Sequence, residues 1–306
     1  MDGISVVIPT RGRGETLGET VRRLALQDFD GTDFEIVVVD DGSDPPVPES
    51  LGGDLPARVK VIRQEPRGPA AARNRGVAAA RGDLIVFTGD DILVGRDFLG
   101  FHWAWHTGHP DPLDGLAGKV AWPEEYLADR YMRWLEASGL QFGFEGLRPG
   151  QQLEYYHFYT SNLSLKRQVF EKHRFDEDFP DATHEDSDLG LRLCRDGFRL
   201  FYEPLAAAEH HHFYTLEASC GHRRRVGRAG YLFQRKHPGE ASFKWIRRMP
   251  LPLRAMCATR AFRRVAELAA RSGDMEPLGM YYYYRNSEAF WEGFHEAAEE
   301  DRGRAA

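Results

Sequence analysis

Over its first hundred residues the chain alternates short apolar runs with stretches of helical period. Ile4 to Pro9 and Glu35 to Val39 predict buried strands, as do Val59 to Ile62 and the wholly apolar run that opens at Leu84. Between them, Glu15 to Gln27 places Leu17, Val21, Leu24 and Ala25 on one helical face, and Pro69 to Ala80 is an alanine-rich helix. Strands alternating with helices imply right-handed crossovers. The expected fold class is therefore α/β: a Rossmann-type, nucleotide-binding, mostly parallel sheet flanked by helices. Ligands of such sheets bind outside the carboxyl ends of the strands, so the loops after the first, second and fourth strands converge on one edge.

The later sequence is mixed. Leu116 to Trp122 predicts a strand, Glu124 to Ala137 a helix carrying Tyr131 and Trp134, and Gly143 to Gln152 a loop. Tyr159 to Arg167 alternates like a strand and runs into a short helix to His173, followed by a turn-rich acidic stretch from Phe175 to Thr183. Glu185-Asp186-Ser187-Asp188 opens a helix with Leu189 and Leu193 on one face, and Gly197 ends it. Arg199 to Tyr202 is a further strand, leading to Glu209-His210-His211-His212. From Thr215 the pattern is helical, in three segments divided by Pro238 and by Pro250 and Pro252.

A content of 42% hydrophobic residues in 306 supports a substantial core. The formal net charge of -7 and a pI near 6.0 argue against a nucleic-acid partner recruited by overall charge. Cys194, Cys220 and Cys257 are odd in number and widely spaced, which favours a reducing compartment. No apolar run reaches membrane-spanning length, and a strand starting at Ile4 leaves no room for a cleaved leader. The expected location is cytoplasmic, with peripheral contact at the inner face of a membrane as a further role for the basic C-terminal helices.

Candidate chemistry gathers where the strands end. Asp90 and Asp91 follow a buried strand directly, and paired carboxylates there suit a hard divalent cation holding a phosphate, although a plain turn explains the same letters. Asp40-Asp41-Gly42-Ser43 closes the second strand; a carboxylate there can accept from a ribose hydroxyl or a base N–H, or simply form an Asx-turn. Gly12-x-Gly14-x-x-x-Gly18 comes close to a dinucleotide fingerprint and keeps an NAD(P)-dependent oxidoreductase as the rival reading. Glu185 and Asp186 fall in a helical first turn, where capping accounts for most acids, but that position would also keep Asp186 ionised near neutral pH as a general base requires. Of the three consecutive histidines, only His210 and His212 can face one ion, because neighbours on a strand point to opposite faces. His222-Arg223-Arg224-Arg225 with Arg228 is a basic helical cluster, either a solvated face or a dock for phosphate or an anionic membrane.

Taken in order, VVIPT, VVVDDGS, GPAAARNRG, LIVFTGDD, SNLSLKR, FDEDF, HEDSDLGLRL and the histidine beyond Tyr202-Glu203-Pro204 resemble the family 2 glycosyltransferases of the GT-A fold, over roughly Ile4 to His212. The resemblance implies an inverting, metal-dependent transferase that moves a sugar from a nucleotide-diphosphate donor, uridine-linked by family habit, to an acceptor hydroxyl. It implies a transferase domain over 1–214, with a nucleotide-binding half at 1–100 and an acceptor half at 101–214, and a helical extension over 215–306. By the same resemblance Pro9, Thr10, Arg11, Asp41, Arg73 and Asp90 line the nucleotide pocket, Asp91 with His210 holds Mg²⁺ or Mn²⁺, Asp186 is the base, and Asn162, Glu185 and Asp188 lie on the acceptor side. One departure stands out: many members carry Asp where this chain has Gly89. A nucleotide-sugar binding module without turnover is a third reading.

Overall fold

Val6, Val7 and Ile8, and likewise Ile36 to Val39, lose all contact with solvent, because each lies in a strand covered on both faces. These strands, β1 (Ile4–Thr10), β2 (Phe34–Asp40), β3 (Arg58–Arg63) and β4 (Leu84–Thr88), pair in parallel in the order β3-β2-β1-β4. Helices α1 (Gly14–Ala25) and α2 (Pro69–Ala79) make the crossovers. Gly76 lets α2 lie close on the sheet: a Cβ there would stand 2.4 Å from the Val7 side chain.

This computed structural model describes residues 1–240 and 246–305, in two compact units. The first comprises Met1–Tyr126 and Glu136–His212. After β4 it adds β5 (Ile92–Val94), α3 (Phe98–Gly108), β6 (Asp114–Ala121), β7 (Gln152–Leu153), β8 (Asn162–Lys166), α5 (Glu185–Arg195) and β9 (Arg199–His210); α4 (Arg130–Ala137) falls between β6 and β7 in the chain. The result is one nine-stranded mixed sheet, β3-β2-β1-β4-β8-β6-β9-β5, with β7 on β9. β8 enters antiparallel between β4 and β6, ending the parallel half.

Several elements differ from the expected pattern. Helix α3 gives no clear periodic signal because aromatics lie all round it, yet it buries Phe98, Leu99, His102 and His106. Strand β9 runs eight residues past Tyr202, through Pro204, because the ladder slips there: Gly118 pairs Glu203 whereas Val120 pairs Ala208. Gly118 is required at the slip, since a Cβ would come within 2.1 Å of the Ala206 carbonyl. The predicted helix from Glu124 to Ala137 is a 3₁₀ turn at Glu124–Ala128 and then α4, whose first amides, Tyr131 and Met132, donate to the Asp129 carboxylate at 2.8 and 3.0 Å.

The second unit, Leu127–Leu135 with Phe213–Ala306, contains α6 (Leu216–Lys236), α7 (Leu251–Cys257), α8 (Arg260–Arg271) and α9 (Glu276–Ala305). Where three helical segments are expected, the described residues form four helices. Thr259 caps α8 by accepting from the Phe262 amide at 3.1 Å, and Gly273, at φ +98°, turns the chain toward α9. The helical expectation for 241–245 and for 306 lies outside the described residues. α6 and α9 touch backbone to backbone, because a Cβ on Gly227 would lie 1.9 Å from the Phe290 carbonyl and one on Gly293 2.0 Å from that of Arg224. The α6 basic cluster is largely matched within this packing. Arg224 pairs Glu296, Arg228 meets Glu300 at 2.6 Å, Arg223 is buried and Arg225 is exposed, so most of the cluster is an ion-paired helix face.

Candidate active site

The acids that close β4 meet one arginine and two histidines. Asp90 is buried; Thr10 Oγ1 donates to its Oδ2 at 2.7 Å, and the Thr20 hydroxyl donates to its backbone carbonyl at 3.1 Å. Burial pushes the Asp90 carboxyl up, and neighbouring Asp91 pushes it further, against the pull of Arg13 and Thr10. Asp91 goes the other way. Burial would raise it, but His210, His212 and Arg13 together hold it well below the usual carboxylate range.

The strand register brings the histidines there. β5 is only three residues long and pairs antiparallel with the end of β9, Ile92 opposite His210, while the His211 amide donates to the Asp91 carbonyl at 2.8 Å. The period of two then turns His210 and His212 together: His210 Nε2 and His212 Nδ1 each stand 3.4 Å from Asp91 Oδ2. His211 points away, to Glu209 at 3.1 Å. One ligand atom from each of Asp91, His210 and His212 lies within 4.8 Å of the others. Atoms bound to one ion at about 2.1 Å span up to about 4.2 Å, so a small closure completes the set. A carboxylate with two imidazoles is a mixed oxygen and nitrogen donor set, whereas Mg²⁺ favours oxygen alone. A Cβ on Gly89 would lie 3.1 Å from both Asp91 Oδ1 and the Ile92 side chain, so a larger residue there calls for those two side chains to give by a few tenths of an ångström.

Arg13, which the sequence reading did not single out, bridges the acids. Its Nη1 stands 3.3 Å from Asp90 Oδ1 and hydrogen-bonds Asp91 Oδ2. The turn that delivers it passes through Gly12, at φ +71°, whose amide donates to Ser43 Oγ at 2.9 Å. The available signal was an arginine in a glycine-rich loop leading to an edge already read as acidic. Arg13, Glu15, Thr16, Asp91, His211 and His212 line an open cleft of about 370 Å³. Pro9 is partly buried beside this turn and Arg11 is exposed.

At the end of β2 the two acids divide their work. Asp40 holds the loop that follows it, accepting from the Ser43 amide three residues on at 2.8 Å, and it meets Arg63 at 2.7 Å. Asp41 accepts from Gln64 Nε2 and the Arg67 amide through Oδ1 and from the Gly68 amide through Oδ2, each at 2.8 Å. A carboxylate has about four acceptor sites, which leaves Asp41 roughly one for a ligand.

A second centre forms at the start of α5. Arg73 does not reach the β4 acids; its Nη1 pairs with Glu185 Oε1 at 2.7 Å, both side chains buried. Asp186 is half-buried, and its Oδ1 accepts from its neighbour's amide, that of Ser187, at 2.7 Å. The expectation that a helix N-terminus keeps Asp186 ionised near neutral pH is corrected. The protein packed around it, and next the Glu185 carboxylate, raise its pKa to about 8 despite Arg73 and the Ser187 and Thr160 amides.

The three residues expected on the acceptor side are held inside the protein. Asn162 is 1% exposed; its Nδ2 donates to the Lys119 and Ala206 carbonyls at 3.0 and 2.7 Å, and its Oδ1 meets His102 Nε2 at 3.0 Å. It clasps the slipped ladder. Asp188 accepts from Arg192 Nε and Nη2 at 2.9 and 2.7 Å, and Glu185 from Arg73 and the Thr183 amide. Burial and these partners explain why none presents a free face to an acceptor.

Known proteins resemble this chain in sequence and fold. Validoxylamine A glucosyltransferase of Streptomyces hygroscopicus subsp. limoneus is 30% identical over 224 residues, covering 63% of this chain and 48% of that protein. The chain spans about half the length of that curated relative. Among solved structures, the mannosyltransferase PcManGT of Pyrobaculum calidifontis, in complex with GDP-Man and Mn²⁺, aligns with TM-score 0.60 at 21% identity over 97% of this chain and 86% of that one. TarS 1–349 of S. aureus in complex with UDP gives 0.54 at 17%, over 98% and 92%. These likenesses show the GT-A fold, a mixed α/β sheet flanked by helices with a helical C-terminal region. Residues 5–172, more than half of the sequence, match the description Glycosyl transferase family 2, and the chain belongs to that family.

Proposed function

We propose that the chain transfers a hexosyl group from a nucleotide-diphosphate sugar to an acceptor hydroxyl, with inversion at the anomeric carbon and Asp186 as general base. The observation that carries this reading is the pair of carboxylate centres, one at Asp90 and Asp91 among Arg13, His210 and His212 and one at Asp186 with a raised pKa. The first suits the donor's diphosphate and the second the acceptor's proton. Family membership replaces the oxidoreductase reading of the glycine-rich loop.

In this reading Asp91, His210 and His212 hold Mn²⁺ or Mg²⁺, which when bound neutralises charge developing on the departing diphosphate. Thr10 and Asp90 border the ribose, Asp41 the base, and Arg13, released from Asp91, offers two N–H groups to phosphate oxygens. Uridine is the expected base; the solved structures of similar fold are complexes with UDP in one case and with GDP-Man in another. Asp186 takes the hydroxyl proton as the acceptor attacks opposite the leaving group.

A thermal-shift panel of UDP, GDP and NADP, each with and without Mn²⁺, tests the donor side, because a ligand that binds only the folded state raises Tm. UDP is expected to raise Tm more in the presence of Mn²⁺, and Asp91→Asn to remove the metal's contribution. A shift with NADP alone, or a metal effect unchanged in Asp91→Asn, would contradict the reading.

A further inference from the structure

A stretch rich in positive charge lies beyond α6. Between Ile246 and Ser272 the sequence carries seven arginines and one acid, Glu267, in a protein whose formal net charge is -7. Glu267 is taken by Arg263 at 2.8 Å, and Arg254 pairs with Glu288 at 2.5 Å. Arg260, Arg264 and Arg271 are exposed, and among the described residues no acid pairs with them.

The apolar residues of the same two helices divide by face. Ala266 and Ala270 of α8 pack on Leu278 and Tyr281, with Phe262 against that cluster. At 3.6 residues per turn, Ala261, Val265 and Leu268 form the opposite stripe, with Arg260, Arg264 and Arg271 along one flank. That stripe is uncovered: Val265 is 60% and Leu268 61% exposed. The preceding α7 exposes Leu251 at 72%, together with Leu253 and Met256. Single exposed apolar residues are ordinary, but five on consecutive short helices, with unpaired arginines flanking those of α8, make a pattern that calls for a partner.

We infer that the outward face of α7 and α8 docks on an anionic membrane surface, with Val265, Leu268 and the α7 side chains entering the acyl boundary and Arg260, Arg264 and Arg271 meeting lipid phosphates. Charge selects this occupant over a second copy of the chain, since two such faces would oppose arginine to arginine. The attachment is peripheral, for no described helix is long and apolar enough to cross a membrane. Each arginine near an anionic leaflet strengthens partition by about fivefold, and salt screens the effect within a Debye length.

The test is co-sedimentation of the full chain with vesicles of phosphatidylcholine alone and of phosphatidylcholine mixed with phosphatidylglycerol, at low and high salt. Binding is expected only to the mixed vesicles and is expected to weaken with salt. Arg264→Gln with Arg271→Gln should weaken it by about 25-fold, and Val265→Ser with Leu268→Ser by at least tenfold, while UDP binding and circular dichroism stay unchanged. Absence of sedimentation at low salt, equal binding to both vesicles, or unaltered binding by the two double variants would overturn the inference. So would a dimer that the serine variant converts to monomer without any vesicle binding, which would assign the face to self-association.

Discussion

Arg73 Nη1 and Glu185 Oε1 stand 2.7 Å apart on side chains only 8% and 1% exposed, joining α2 to the first turn of α5. The pair lies next in sequence to Asp186 and acts on it with opposite signs, Glu185 raising its pKa and Arg73 lowering it. Removing one partner of a buried pair leaves the other charge without its counterion, at a cost of about 3–5 kcal/mol. Arg73→Met is therefore expected to lower Tm by about 10 °C in a thermal melt. An unchanged Tm would show that the pair is not the tie between these helices.

Asp186 sets a pH dependence of its own. Its folded pKa, about 8, lies above the unfolded value of 3.8, so between these limits the folded state holds the extra proton. Stability contributed by the protonated form is accordingly lost as pH rises through that window. In the proposed role of Asp186 as base, activity runs the opposite way, because a base must be ionised: kcat/KM is expected to climb with pH up to about 8. Glu185→Gln removes the neighbouring negative charge and frees Arg73, and both changes shift the rising limb to lower pH. The check is the kcat/KM profile of both proteins; a limb that stays in place would disconnect Glu185 from the titrating group.

In the proposed site Arg13 and a divalent cation would compete for Asp91. Arg13→Met is expected to tighten Mn²⁺ binding at least severalfold, measured by calorimetry on protein without nucleotide. Weaker Mn²⁺ binding in this variant would show that Arg13 organises the site for the metal instead of opposing it.

The sequence was most informative where geometry is local. The parallel half of the sheet, the acids at the ends of β2 and β4, and the shared facing of His210 and His212 all follow from strand period and chain order. What it hid is set by distant partners. Asn162 and Asp188 carry polar groups in motifs that suggest ligand contact, yet His102, Lys119, Ala206 and Arg192 absorb them. Arg13 acquires its role from acids nearly eighty residues later. The raised pKa of Asp186 likewise reflects packing that no first-turn pattern encodes.

His102 gives an acid-stability signature. It is fully buried between Ser164 at 2.7 Å and Asn162 at 3.0 Å, and burial lowers its pKa to about 4 against the bond from Asn162. A histidine held neutral binds fewer protons folded than unfolded, so stability is lost as pH falls from about 6.5 to about 4, at about 1.4 kcal/mol per pH unit. His106, shifted the same way by burial, adds to the slope. Urea unfolding from pH 7 to pH 4.5 should give a shallower decline for His102→Gln than for the parent chain. Parallel declines would contradict this assignment.

The central claim is that Asp186 removes the acceptor proton in an inverting transfer. General-base assistance is worth about 10²- to 10⁴-fold in rate, and a base that touches only the reacting hydroxyl contributes little to donor affinity. The most direct measurement is donor turnover by Asp186→Asn alongside UDP binding by calorimetry on the same preparation, with the anomeric configuration of the parent enzyme's product read by NMR. The predicted result is turnover lower by about 100-fold or more, UDP affinity near that of the parent chain, and an inverted product. Unchanged turnover, or a product of retained configuration, would contradict the assignment.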